Sequence, residues 1–202
     1  MDYQMRLAGK TVLMLVAEGV HDHEFWYPYY RFREEGARVV VAGPAKGTIL
    51  GEGRHGLDGL PLEVTHTIEE VSGMEMDCLF LPGGIYGPLT LRAHKGALEI
   101  VRRAMAAKRI VAAICHGQWI LVSAGVLRGR RLTCPDDMSI DVINAGGEYV
   151  ACPENLASEA PHPGKAVRDG NLITAVYYGY LPEQFRLLIP AMMEKSRPKT
   201  EV

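Results

Sequence analysis

The chain has 202 residues and four cysteines, Cys78, Cys115, Cys134 and Cys152, with no two close enough for a CxxC redox or zinc motif. Its longest apolar runs, such as Ile110–Cys115, fall far short of the roughly 20 residues a membrane helix needs. Charge of either sign is not in excess: 22 Lys and Arg against 24 Asp and Glu give a net charge of −2. No long-range field therefore favours nucleic acid or an anionic membrane as partner. No GxGxxG follows a strand and no GxxxxGK[ST] is present, so no nucleotide cofactor is expected. Repeats, low-complexity tracts and charge runs are absent, and the opening "MDYQMRLAGK" lacks the apolar core of a signal peptide. These absences lead to the expectation of one soluble, cytoplasmic domain over 1–202 with free thiols.

What is there is an ordinary globular composition, 48% hydrophobic and 23% charged, enough to bury a core without cross-links. The apolar runs "KTVLMLVAEG" (10–19), "ARVVVAG" (37–43), "DCLFLPGG" (77–84) and "RIVAAI" (109–114) read as buried strands. "GEYV" and "GNLITAV" are strand-like as well. Helical spacing marks 24–36, with Pro28 placed in its first turn, and 91–108, 118–125, 136–147 and 181–195. The glycine-rich 44–66 predicts turns and a hairpin, and the polar, proline-rich 151–166 predicts a loop insertion. Short strands apolar on both faces, alternating with helices, predict an α/β fold: a mostly parallel sheet covered on both sides. Ligands of such sheets bind beyond the carboxyl ends of the strands. That gathers Glu18–Glu24, Gly43, Pro82–Tyr86 and Cys115–Gly117 in one crevice.

Cys115 stands at the joint between a strand and a helix, with Ala112 and Ala113 before it and Gly117 after it. A tight strand-to-helix turn with small neighbours exposes a nucleophile, as in the nucleophile elbow. The helix N-terminus is expected to favour its thiolate, and the next backbone N–H to stabilise an oxyanion. Gly83 and Gly84 can bring further N–H groups close. Glu18, Asp22 and Glu24 are candidate carboxyl partners for the thiol, although Asp22 or Glu24 is as readily a helix cap. His21 to Glu24 are also four consecutive residues able to ligate a metal, but adjacent ligands seldom converge, and no metal is expected. Tyr86, Trp119, Trp26, Tyr177 and Tyr178 are candidates to line the pocket, with core packing the plainer reading for both tryptophans. His55, His66, His94 and His162 read as surface or loop residues.

The segment "AAICHGQWILVSAGVLRGR" resembles the nucleophile segment of the PfpI / parkinsonism-associated deglycase superfamily, which includes intracellular protease I and the glutathione-independent glyoxalase III enzymes. "EFWYPYYRFREEGARVVVAGP", "GTILGEGRHG", "DCLFLPGG", "INAGGEYV" and "DGNLITA" follow in family order. The resemblance implies a flavodoxin-like three-layer sandwich with Cys115 as nucleophile, supported by Glu24, four residues before Pro28. It implies His116 as the adjacent histidine, and Gly83, Gly84 and the His116 backbone as oxyanion-binding groups. It further implies a homodimer or higher homo-oligomer, with Tyr27 and Tyr29 as candidate contacts. The protease branch takes a third acid from a neighbouring subunit just past Pro-Gly-Gly, where this chain reads "GGIYGPLTLR" without one. The glutamine amidotransferase elbow does not fit, since Ala113 and Trp119 replace its glycine and glutamine. The leading expectation is a cofactor-free cysteine enzyme turning methylglyoxal or glyoxal into a hydroxy acid, or removing early glycation adducts. The alternatives are a cysteine peptidase or amidase, and a non-enzymatic peroxide sensor or chaperone-like stress protein using the same thiol.

Overall fold

A computed structural model describes residues 5–53, 58–152 and 165–194. Most of the predicted 151–166 insertion, with His55 and His162, lies outside them. The apolar runs form β1 (Thr11–Leu15), β2 (Arg38–Gly43), β6 (Cys78–Leu81) and β7 (Ile110–Ile114). Among them, β6 and β7 are buried at every position, as expected of strands covered on both faces. With β5 (His66–Thr67), β10 (Ala166–Asp169) and β11 (Leu172–Ala175) they make a seven-stranded sheet in the order β10-β11-β7-β6-β1-β2-β5. All pairs are parallel except β10 with β11. The chain runs outward from β1 to β2 and then returns to β6 on the other side, so the topological switch point lies between β1 and β6.

Alternate side chains of each strand enter two cores. Leu13, Leu15, Val111 and Ala113 pack under the helices α3 (Lys95–Ala106) and α4 (Gln118–Ala124). Val12, Met14, Ala112 and Ile114 pack under α1 (Asp22–Glu34) and α6 (Leu181–Glu194). The rings of Phe32 (α1), Phe80 (β6) and Phe185 (α6) meet, with centroids 4.9 Å apart for Phe32 and Phe185 and 5.7 Å for Phe32 and Phe80. This is the three-layer α/β sandwich that the sequence predicts. No described helix is long and apolar enough to cross a membrane.

The predicted hairpin is β3 (Gly47–Leu50) against β4 (Pro61–Val64), antiparallel. Three expectations are corrected. The helix predicted over 91–108 is two helices, α2 (Tyr86–Ala93) and α3, because His94 is extended and its Nδ1 accepts from the Ala97 N–H, capping the second. The helix predicted over 136–147 is a 3₁₀ turn at Asp136–Met138 followed by the short α5 (Ser139–Asn144). Pro28 is the seventh residue of α1 rather than part of its first turn. The start is set by tertiary contact: the His21 backbone N–H donates to the Gly83 carbonyl, 3.0 Å away. The remaining pair, β8 (Arg131–Leu132) with β9 (Glu148–Tyr149), closes the layer beside α5.

Candidate active site

The strand β7 ends on extended Ile114, and the next residue, Cys115, has φ +53°. Left-handed backbone costs a side chain roughly 1–2 kcal/mol, so surrounding structure must hold it there. Gly117 shows how closely the turn is pressed: a Cβ there would lie 2.4 Å from the Leu81 carbonyl and 2.7 Å from that of Pro82. The elbow is therefore wedged against the end of β6, and only glycine fits.

Glu24 comes from the first turn of α1, fully buried. Its Oε2 accepts from the Gly83 N–H at 2.9 Å. A Cβ on Gly83 would fall 2.4 Å from that Oε2 and 2.7 Å from the Cys115 Cβ, so carboxyl and thiol meet across the bare glycine. Burial pushes Glu24 up to about 8, against the pull of the Gly83 N–H, the Cys115 thiol and the Tyr178 backbone. At neutral pH it is therefore mainly protonated, able to donate to sulfur. The thiol differs from expectation. Burial and then the Glu24 charge push Cys115 well up, while the N–H groups of His116 and Gly84 pull it down. Protonating Glu24 removes the repulsion, so the two groups titrate as a pair.

Of the three groups expected as oxyanion donors, Gly83 gives its N–H to Glu24. Gly84 and His116 remain, their N–H groups directed at the sulfur. Gly84 has φ +91°, and a Cβ there would meet the Gly19 carbonyl at 2.5 Å and Glu52 Oε2 at 2.8 Å. The other acids are turned elsewhere. Glu18 accepts from Leu50 N–H at 3.3 Å, and both Asp22 oxygens face the Leu60 N–H, so these residues anchor the hairpin. Asp22 does not cap α1, whose N-cap, His21, makes no side-chain capping bond. Gly43 sits under the Val16 carbonyl and Val64, where a Cβ would lie 2.7 Å from that carbonyl.

His116 bridges two partners. Its Nδ1 lies 3.3 Å from Cys115 Sγ and its Nε2 3.2 Å from Asp137 Oδ2. Asp137 was invisible as a site residue: nothing in "CPDDMS" distinguishes it from a turn acid, and only the fold carries it to His116. Around the mouth, Tyr178 stacks on His21 and His23, with centroids 5.0 Å away in each case. Burial and the neighbouring His23 hold His21 below the usual imidazole range. Trp119 lies against His116, whereas Trp26 packs on Phe25, Tyr29 and Tyr30 of its own helix and Tyr86 is half exposed. Among the described residues, no group of three or more His, Cys, Asp or Glu is placed to hold a metal ion.

Residues 10–191 match the model of the DJ-1/PfpI family. The chain is 37% identical over 181 residues to "Deglycase PfpI" of Pyrococcus furiosus, covering 88% of this chain and 98% of that one. It is 35% identical over 141 residues to "Protein/nucleic acid deglycase 2" of Escherichia coli, covering 70% and 80%. Drosophila melanogaster DJ-1beta has the same fold, with TM-score 0.77 at 23% identity over 92% of this chain and 94% of that one.

Proposed function

Because the chain belongs to the DJ-1/PfpI family, we propose that Cys115 is the nucleophile of a cofactor-free enzyme acting on reactive carbonyls, of the deglycase or glyoxalase III type. The observation that carries this reading is the convergence on one strained cysteine of a protonated acid, Glu24, and a base, His116. In the proposed reaction Sγ attacks the aldehyde carbon of methylglyoxal as the thiol proton passes to His116 Nδ1. The oxyanion sits on the Gly84 and His116 N–H groups, takes that proton back, and a hemithioacetal results. His116 then removes the proton from the former aldehyde carbon and returns it to the adjacent carbon, while protonated Glu24 stays a hydrogen-bond donor beside the sulfur, giving a thioester of lactate. Water adds to the thioester, the C–S bond breaks, and sulfur regains its proton as lactate leaves. Removal of an early glycation adduct begins with the same attack on the adduct carbon.

Purified protein incubated with methylglyoxal and no glutathione is expected to release lactate. Absence of lactate above a Cys115→Ala control ends this reading. His116→Ala is expected to lower kcat by about 10²- to 10⁴-fold, the range for loss of a general base.

One observation favours a second reading, a peptidase or amidase. The third acid, which the sequence lacks after Pro-Gly-Gly, has a counterpart within the chain in Asp137, on the far side of His116. Cys, His and Asp in that order match acyl transfer, with Asp holding the imidazole tautomer. Turnover of fluorogenic peptides, abolished by Cys115→Ala and unaccompanied by lactate formation, would favour it over the first.

A further inference from the structure

The imidazole of His116 can span Cys115 and Asp137 only in one ring orientation, and the Asp137 bond on its far side is a soft tether, 3.2 Å long to a carboxylate that is largely exposed. A third contact lies beside it. The Trp119 ring is 4.5 Å from the His116 ring, centroid to centroid, at an interplanar angle of 52°. The indole is itself fixed. Its Nε1–H donates to Asp141 Oδ2 at 2.9 Å, and the Arg92 guanidinium lies 5.5 Å from its ring centroid. Arg92 in turn donates through Nε to Ser123 Oγ at 3.0 Å. Three helices thus hold one indole: α2 through Arg92, α4 through Trp119 and Ser123, α5 through Asp141.

We infer that Trp119, clamped by Asp141 and Arg92, is a positioning residue that locks the His116 ring in the orientation joining Cys115 Sγ to Asp137. The inference rests on the reading of Cys115 and His116 as the reacting pair, and it assigns a role to three residues outside that pair. Asp141 acts through its acceptor oxygen, so Asp141→Asn, with an acceptor in the same place, preserves the clamp, whereas Asp141→Ala loosens it. Arg92 acts through its flat cation over the indole, which is weaker and partly exposed.

The test measures the rate of Cys115 alkylation by iodoacetamide and, where turnover is found, kcat and KM with methylglyoxal. Trp119→Leu is expected to lower the alkylation rate and kcat about tenfold, with KM within about twofold, and Trp119→Phe to restore both to within about threefold. In a His116→Ala background Trp119→Leu should cost nothing further, because the ring it positions is gone. An equal loss with and without His116, or a loss confined to KM, overturns the inference. Circular dichroism and thermal unfolding of each variant identify failure to fold, in which case Asp141→Ala, compared with Asp141→Asn in the same two backgrounds, decides by the same criterion. Alkylation reports on positioning even if no carbonyl is turned over, so failure of the proposed function and failure of this inference remain distinguishable.

Discussion

At the scale of single residues, the site runs on two unfavourable placements. Cys115 is held at φ +53°, where glycine would be at ease. Cys115→Gly is therefore expected to be more stable than Cys115→Ala by about 1 kcal/mol, read from urea midpoints, since alanine keeps the strain and glycine relieves it. Glu24 is the second. Its folded value of about 8 lies above its ordinary 4.5, so its contribution is fully present below about 4.5 and is lost as pH rises through about 8. In a Cys115→Ala background, where no thiol shares the proton, the protein with Glu24 should lose a few kcal/mol between about pH 5 and about pH 9 relative to Glu24→Gln. No difference in the pH dependence of their denaturation midpoints would contradict the assignment of Glu24 as a buried acid. The cysteine, histidine and glycines at this centre are legible in "CHG" and "PGG", whereas Glu24 is singled out from Glu18 and Asp22 only by the family resemblance. The protonation of these groups is not legible, because it depends on how much water the fold removes from each.

At the scale of elements, the site is the meeting of three strand ends, and its tolerances are those of backbone against backbone. A side chain at Gly117 would strike the Leu81 and Pro82 carbonyls, neither of which can rotate away. Gly117→Ala should therefore cost about 1–3 kcal/mol by calorimetry and slow Cys115 alkylation, since the elbow must lift off β6. Where sequence reasoning went astray, an element boundary was decided by a contact from outside the element. The stretch 91–108 has helical periodicity throughout, but His94 caps α3 with its own ring and breaks the run. Pro28 suggests a later start for α1 on local grounds, yet the Gly83 carbonyl accepts the His21 N–H seven residues before Pro28 and fixes the start there. The strand β10 follows a polar, proline-rich sequence and shows no alternation strong enough to separate it, being defined by its antiparallel partner β11.

At the scale of the whole molecule, the two cores are independent supports for one crevice. Phe32 joins α1 to β6 and α6, and it is completely buried. Phe32→Ala should lower unfolding free energy by about 3–5 kcal/mol, measured by denaturant titration, because the cavity lies between three elements that cannot collapse together. The sequence by itself determined the layered α/β architecture, since hydrophobic periodicity is a local property that strands and helices express wherever they pack. It also determined the thiol, its adjacent histidine and the glycines, because a tight turn restricts the residue types within it. Only the tertiary structure decided which acid faces which base. Glu24 reaches sulfur while Glu18 and Asp22 anchor a hairpin, Gly83 gives its N–H to that carboxyl, and Asp137 arrives at His116 from 21 residues away. Those pairings are distances between segments remote in sequence, and no local pattern encodes a distance across a fold.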